Sequence, residues 1–140
     1  MDNLEVVGYS DADFGGCLDD LKSTSGYIFM LAEGAISWKS VKQTLIASST
    51  MYAEFVACYG AACQAIWLKN FIFGLLIIDS IWKPLVIYCD NNAAIFYSKN
   101  NKISSRSKYM KIKYLTVRDL IKKRDILVEY IGTESMFADL

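Results

Sequence analysis

The chain contains no histidine and a single proline, Pro84, and its four cysteines, Cys17, Cys58, Cys63 and Cys89, show no C-x-x-C spacing. Without histidine there is no Ser-His or Cys-His nucleophile pair and no common general base. The same absence, with the scattered cysteines, leaves no set of zinc-finger ligands, so the thiols read as ordinary buried or free groups of a reducing compartment. Long apolar runs are missing as well. The longest, Ala65 to Trp82, is interrupted by Lys69, Asn70 and Asp79, whereas a membrane span needs about 20 mostly apolar residues. Met1 is followed by Asp2, Asn3 and Glu5 rather than by the basic and apolar stretches of a secretory signal. These features predict an intracellular, soluble domain. Any hydrolytic chemistry must be activated by something other than imidazole, and a metal held by carboxylates is the natural candidate.

At 140 residues and 54% apolar content the chain suits one hydrophobic core and is too short for two ordinary domains, so residues 1–140 read as a single domain. Net charge is zero, but it is unevenly spread. Residues 99–124 hold ten of the fifteen basic residues, opposed only by Asp119, while residues 1–90 hold ten acids against five lysines. A polyanion bound on a basic patch beside a metal-holding acidic one fits this split, and so does a solvated charged helix face.

Along the chain, Leu4 to Ser10 reads as a strand stopping at Asp11, followed by a loop in which Gly15 and Gly16 allow a turn. Tyr27 to Leu31 and Ala35 to Val41 read as two further strands about a Glu33-Gly34 turn, completing an antiparallel meander. Ser48, Ser49 and Thr50 are N-cap candidates for the longest helix, on which Phe55, Tyr59, Ala62, Ile66 and Trp67 recur at helical spacing up to Gly74. Leu85 to Cys89 is a short apolar run suited to a strand buried on both faces. It ends at Asp90, and Asn91 to Ser98 can begin a helix. From Arg106, Met110, Tyr114, Val117 and Ile121 form one apolar stripe on a basic helix. Ile126 to Ile131 is a last strand, and Glu134 to Leu140 reads as the start of a helix cut short.

Four acids then stand out. Asp11 and Asp90 end strands, Glu54 lies in the first turn of the long helix, and Asp139 stands beside the C-terminus. Strand C-termini in open α/β sheets converge on a ligand-binding edge. Carboxylates crowded there stay ionised only with cations between them, and two Mg²⁺ ions can activate a water and stabilise the leaving oxygen of a phosphodiester. Each acid has a structural alternative. Asp11 can start a turn, with Asp13 as the ligand instead; Glu54 can favour the positive helix end; Asp90 can cap the following helix; Asp139 lies where chains fray.

At these residues the chain resembles the ribonuclease H domain of copia-type retrotransposon polyproteins. The resemblance rests on Gly8-Tyr-Ser-Asp-Ala-Asp-Phe-Gly-Gly, Lys22-Ser-Thr-Ser-Gly-Tyr, Ile36-Ser-Trp-Lys-Ser, Lys42-Gln43, Ala47-Ser-Ser-Thr, Ala53-Glu-Phe, Tyr88-Cys-Asp-Asn-Asn-Ala-Ala and Arg106-Ser-Lys, and it spans nearly the whole chain. It implies an α/β ribonuclease H-like fold: a mixed five-stranded sheet, three antiparallel strands and then parallel ones, flanked by helices, with the C-terminal helix truncated. It implies hydrolysis of the RNA strand of RNA–DNA hybrids during reverse transcription, with Asp11, Glu54, Asp90 and Asp139 as catalytic residues holding two Mg²⁺ ions, for which Mn²⁺ is a substitute. The expected partners are the hybrid and a reverse transcriptase domain of the same polyprotein, the chain itself being a monomer in the cytoplasm, an element particle or the nucleus. Lys108, Lys111 and Lys113 are expected on the phosphate backbone and Asn91 and Asn92 in the minor groove. An integrase or transposase is disfavoured, because Asp11, Glu54 and Asp90 run strand, helix, strand. Tyr52 stands where the family has an acid, Tyr109 and Leu115 where it has histidines, and the family continues beyond Asp139. These departures support an alternative reading as a catalytically impaired hybrid-binding or tethering domain of a decayed or domesticated element.

Overall fold

Phe29 is fully buried opposite Gly8, and a Cβ on Gly8 would fall 2.5 Å from the Phe29 ring. The missing side chain on one strand is therefore the space that the aromatic ring of the next one fills. This pair sits near the middle of a five-stranded sheet in a computed structural model that describes residues 6–15, 20–31, 34–44, 46–47, 49–75, 84–92, 94–95 and 108–132. Strands β1 (Val6–Asp13), β2 (Thr24–Leu31) and β3 (Gly34–Lys42) form the antiparallel meander. Helix α1 (Thr50–Leu75) then leads to β4 (Leu85–Cys89), which lies parallel to β1. Helix α2 (Lys108–Lys122) leads to β5 (Ile126–Tyr130), parallel to β4. The spatial order is β3-β2-β1-β4-β5, the mixed sheet expected from the sequence.

Pleating divides the side chains by parity. Ser10, Phe29, Leu85, Ile87, Cys89, Ile126 and Val128 are buried, and they meet Phe55, Cys58, Ala61, Ala62 and Ala65 of α1 and Tyr114 and Val117 of α2 in one core. Small residues on α1 let that helix lie close to the sheet. On odd-numbered β1 positions and even-numbered β4 positions, Tyr9 and Tyr88 face each other in register and stack with centroids 5.6 Å apart.

Several elements differ from expectation. β1 runs through Asp11 to Asp13, because β2 supplies partners as far as Thr24; the turn follows at Gly15, whose φ is +61°. β4 is buried on one face only, at Leu85, Ile87 and Cys89. Trp67, expected in the apolar stripe of α1, is 55% exposed and stacks on Phe71 at 5.1 Å. Ser49 caps α1, its Oγ accepting the Tyr52 N–H at 3.3 Å and its carbonyl accepting the Ala53 N–H. With the helix starting at Thr50, its first turn holds no acid and Glu54 lies in the second. The expected C-terminal helix start, with Asp139, lies outside the described residues, as does Phe96 to Ser98 of the helix expected after Asp90. No helix among the described residues is long and apolar enough to cross a membrane.

Candidate metal centre

Parallel register brings Ser10 beside Cys89. The next residue of each strand is an aspartate, so Asp11 and Asp90 stand side by side at the same edge of the sheet. β4 ends at Cys89 while β1 continues to Asp13, which leaves that stretch of β1 without a β4 neighbour. Into this gap α1 sends Glu54. Its Oε1 accepts a hydrogen bond from the Ala12 N–H at 3.3 Å, and the same N–H donates to Asp11 Oδ1 at 2.9 Å.

Glu54 is only 4% exposed, and its second oxygen, Oε2, is buried without a hydrogen-bond partner among the described residues. Burial first, then the charges of Asp11 and Asp90, push the Glu54 carboxyl up to about 8. Burial also raises Asp11, with Asp90 adding repulsion and the Ala12 N–H opposing it. An orphaned oxygen among like charges is electrostatically costly unless a proton or a cation relieves it. Asp11, Glu54 and Asp90 offer carboxylates, the donors that hard divalent cations select, and the donor atoms that converge within 4.8 Å are those of Glu54, Asp90 and Cys89. The residues present therefore fit a divalent metal.

The placement of Glu54 depends on Gln43, whose role could not be read from sequence. The Gln43 side chain is buried between β2 and α1, its Nε2 donating to Ser25 Oγ at 2.8 Å and to the Ala53 carbonyl at 3.0 Å. That second bond grips the residue preceding Glu54. The signs in the sequence are its place in the Lys42-Gln43 pair that helps carry the resemblance and the amide itself, a polar group placed just after an alternating strand. Cys89 is the other residue that sequence reasoning passed over. Its sulfur, a Glu54 oxygen and an Asp90 oxygen all lie within 4.8 Å of one another.

The remaining candidates separate. Asp13 is exposed two residues along β1 from Asp11. Asn91 caps a helical turn, its Oδ1 accepting the Ala94 N–H at 2.8 Å and its carbonyl the Ile95 N–H at 3.1 Å. Asn92 and Lys111 are exposed. Lys113 turns inward, 8% exposed, with its ammonium 4.0 Å from the centre of the Tyr59 ring, a cation–π contact between α2 and α1. The side chain of Lys108 and all of Asp139 lie outside the described residues.

No family model matches the chain. Over 135 residues, 96% of its length, it is 38% identical to the retrovirus-related Pol polyprotein from transposon TNT 1-94 of Nicotiana tabacum, and over 97% it is 34% identical to that from transposon RE1 of Arabidopsis thaliana. It spans about a tenth of the length of these relatives, 10% and 9% respectively. Among solved structures, LC11-RNase H1, isolated from compost, superposes with a TM-score of 0.66 over 97% of this chain and 90% of its own, at 14% identity. The same protein in complex with an RNA/DNA hybrid gives 0.62 over 94% and 88%, also at 14% identity. These structural similarities establish the fold.

Proposed function

We propose that this chain, which belongs to the ribonuclease H-like domains of copia-type retrotransposon Pol polyproteins, hydrolyses the RNA strand of RNA–DNA hybrids with divalent metal, most simply Mg²⁺. The observation that carries this reading is the meeting of Asp11, Glu54 and Asp90 at one sheet edge, around a buried and unpartnered glutamate oxygen. Structural similarity to a protein seen bound to an RNA/DNA hybrid supports the choice of substrate.

When bound, two Mg²⁺ ions supply a nucleophilic water and charge stabilisation for the leaving oxygen. The chain does the rest. Asp11 and Asp90 present carboxylates from adjacent parallel strands, and Glu54 bridges toward them from the helix. The Ala12 N–H holds Glu54 Oε1 and Asp11 Oδ1 together, so these two ligands are oriented before any cation arrives. Asp139 completes the set in this reading. Exposed Lys111 contacts the phosphate backbone together with Lys108. Lys113, drawn over Tyr59, acts from behind that surface by holding α2 on α1. Asn91, its amide oxygen occupied by the cap, retains its amide nitrogen for the minor groove beside Asn92. A reverse transcriptase domain of the same polyprotein is the expected neighbour, in an intracellular setting.

The test incubates labelled RNA–DNA hybrid with Mg²⁺ and compares the parent chain with Asp90→Asn. Cleavage by the parent and a loss of roughly 100-fold or more in the variant are expected for removal of a metal ligand. Equal cutting by both proteins would sink the assigned site. Tight hybrid binding with no cleavage by either would leave the tethering function in its place.

A further inference from the structure

Hydrolysis at the carboxylate edge makes no use of the Cys89 thiol, although this thiol stands at the centre of it. Cys89 is fully buried, at the last position of β4, with its sulfur 4.0 Å from the Asn91 carbonyl. The sulfur, a Glu54 oxygen and an Asp90 oxygen are mutually within 4.8 Å, so that a modest side-chain adjustment brings all three onto a single ion. A second observation points to a ligand at the same place: Glu54, only 4% exposed, keeps Oε2 without a hydrogen-bond partner among the described residues.

The mixture of donors matters. Mg²⁺ takes oxygen ligands and gains little from sulfur, whereas Zn²⁺ and Cd²⁺ bind thiolate and carboxylate together in small, low-coordinate sites. We infer that Glu54, Cys89 and Asp90 form a binding site for a thiophilic divalent cation of the Zn²⁺ and Cd²⁺ class, which excludes Mg²⁺ from the carboxylates it shares. On binding, the Cys89 S–H bond breaks, a metal–sulfur bond forms, and the proton leaves to buffer; no oxidant or reductant is involved. Only the exclusion of Mg²⁺ rests on the proposed metal-dependent function. The thiolate contact stands apart from it and is read without nucleic acid.

Cadmium is the probe. In a full-length chain carrying Cys17→Ser and Cys63→Ser, titration with Cd²⁺ should raise one equivalent of the ultraviolet cadmium–thiolate charge-transfer band. The band should persist with Cys58→Ala and vanish with Cys89→Ala. Calorimetry should show Cd²⁺ affinity falling roughly 10-fold or more in Cys89→Ala while Mg²⁺ affinity changes less than about 2-fold. Cadmium NMR of the chain retaining Cys89 provides a readout that does not depend on the variant folding: a resonance in the thiolate-ligated range is expected, and one confined to the all-oxygen range overturns the inference. A band that survives Cys89→Ala overturns it too, and failure of Mg²⁺ to compete with Cd²⁺ overturns the shared site. Hybrid cleavage by a parent that gives no cadmium–thiolate signal would remove this inference alone, while a signal without Mg²⁺-dependent cleavage would remove the nuclease function and leave the site.

Discussion

Glu54 and Ala12, 42 residues apart in sequence, are joined by a hydrogen bond in which the Ala12 N–H donates to the glutamate at 3.3 Å. This bond fixes the helix carboxylate against the strand that carries Asp11. It satisfies only one Glu54 oxygen, and the other is left for a proton or a metal.

Stability of the metal-free chain should therefore depend on pH. Glu54 is raised from 4.5 to about 8 by burial and by the charges of Asp11 and Asp90, so the folded state holds its proton more tightly than the unfolded chain does. This contribution is fully present below pH 4.5 and is lost as pH rises through about 8. Thermal unfolding in chelator should show the Tm falling across that window. Glu54→Gln should flatten the slope, and added Mg²⁺ should restore stability at the alkaline end. A Tm independent of pH over the window, in chelator, would contradict the assignment.

Gly8→Ala should destabilise the fold. The new methyl would lie 2.5 Å from Phe29 Cε1 and 2.9 Å from Cδ1, and the ring is fully buried with no free direction of retreat. Overpacking of this kind costs about 1–3 kcal/mol, measurable by urea unfolding. Recovery in the double variant Gly8→Ala, Phe29→Leu would identify the ring as the cause.

Gln43→Leu should cost about 1–3 kcal/mol, since it leaves the Ser25 hydroxyl and the Ala53 carbonyl without their side-chain donor in a buried place. The same change releases the start of α1 next to Glu54. Weaker Mg²⁺ binding, measured by calorimetry at a temperature where the variant is fully folded, should accompany the loss of stability. Gln43→Glu, which keeps the shape but removes the donor, should behave like the leucine variant if the amide nitrogen is the working group.

Arg124→Gly should stabilise the chain by about 1 kcal/mol. Helix α2 ends in a reverse turn in which the Asp125 N–H donates to the Leu120 carbonyl at 3.0 Å and the Arg124 N–H to the Ile121 carbonyl at 3.1 Å. Arg124 itself takes a φ of 62°, a left-handed conformation that glycine adopts without strain. Arg124→Ala, which keeps the Cβ, should give little or none of the gain in denaturant unfolding.

Much of this architecture is visible in the residues alone. Leu85 to Cys89 reads as a strand because a short apolar run follows the only proline, and the stripe of Met110, Tyr114, Val117 and Ile121 marks the buried side of α2. Both patterns follow from local periodicity. Asp11 and Asp90 stand out for the same reason, as charges that interrupt apolar runs.

Other features depend on partners distant in the chain. Whether β1 stops at Asp11 or continues to Asp13 was decided by β2, which pairs with it as far as Thr24. Lys113 has the sequence of a solvent-facing lysine on a basic helix and lies over Tyr59 only because α1 packs there. Trp67 fits the helical spacing of a core residue, yet alanines and Cys58 carry the contact, and the indole is left to stack on Phe71.

By itself, then, the order of residues determined which segments are strands and helices and which acids are candidates for chemistry, because periodicity and isolated charge are local properties. Tertiary structure alone decided that Glu54 reaches Ala12, that Cys89 joins the carboxylates, and that Lys113 lies over Tyr59. Those outcomes depend on parallel register, on how far a helix side chain extends across a strand end and on how α2 packs against α1, distances that exist only once the fold is assembled.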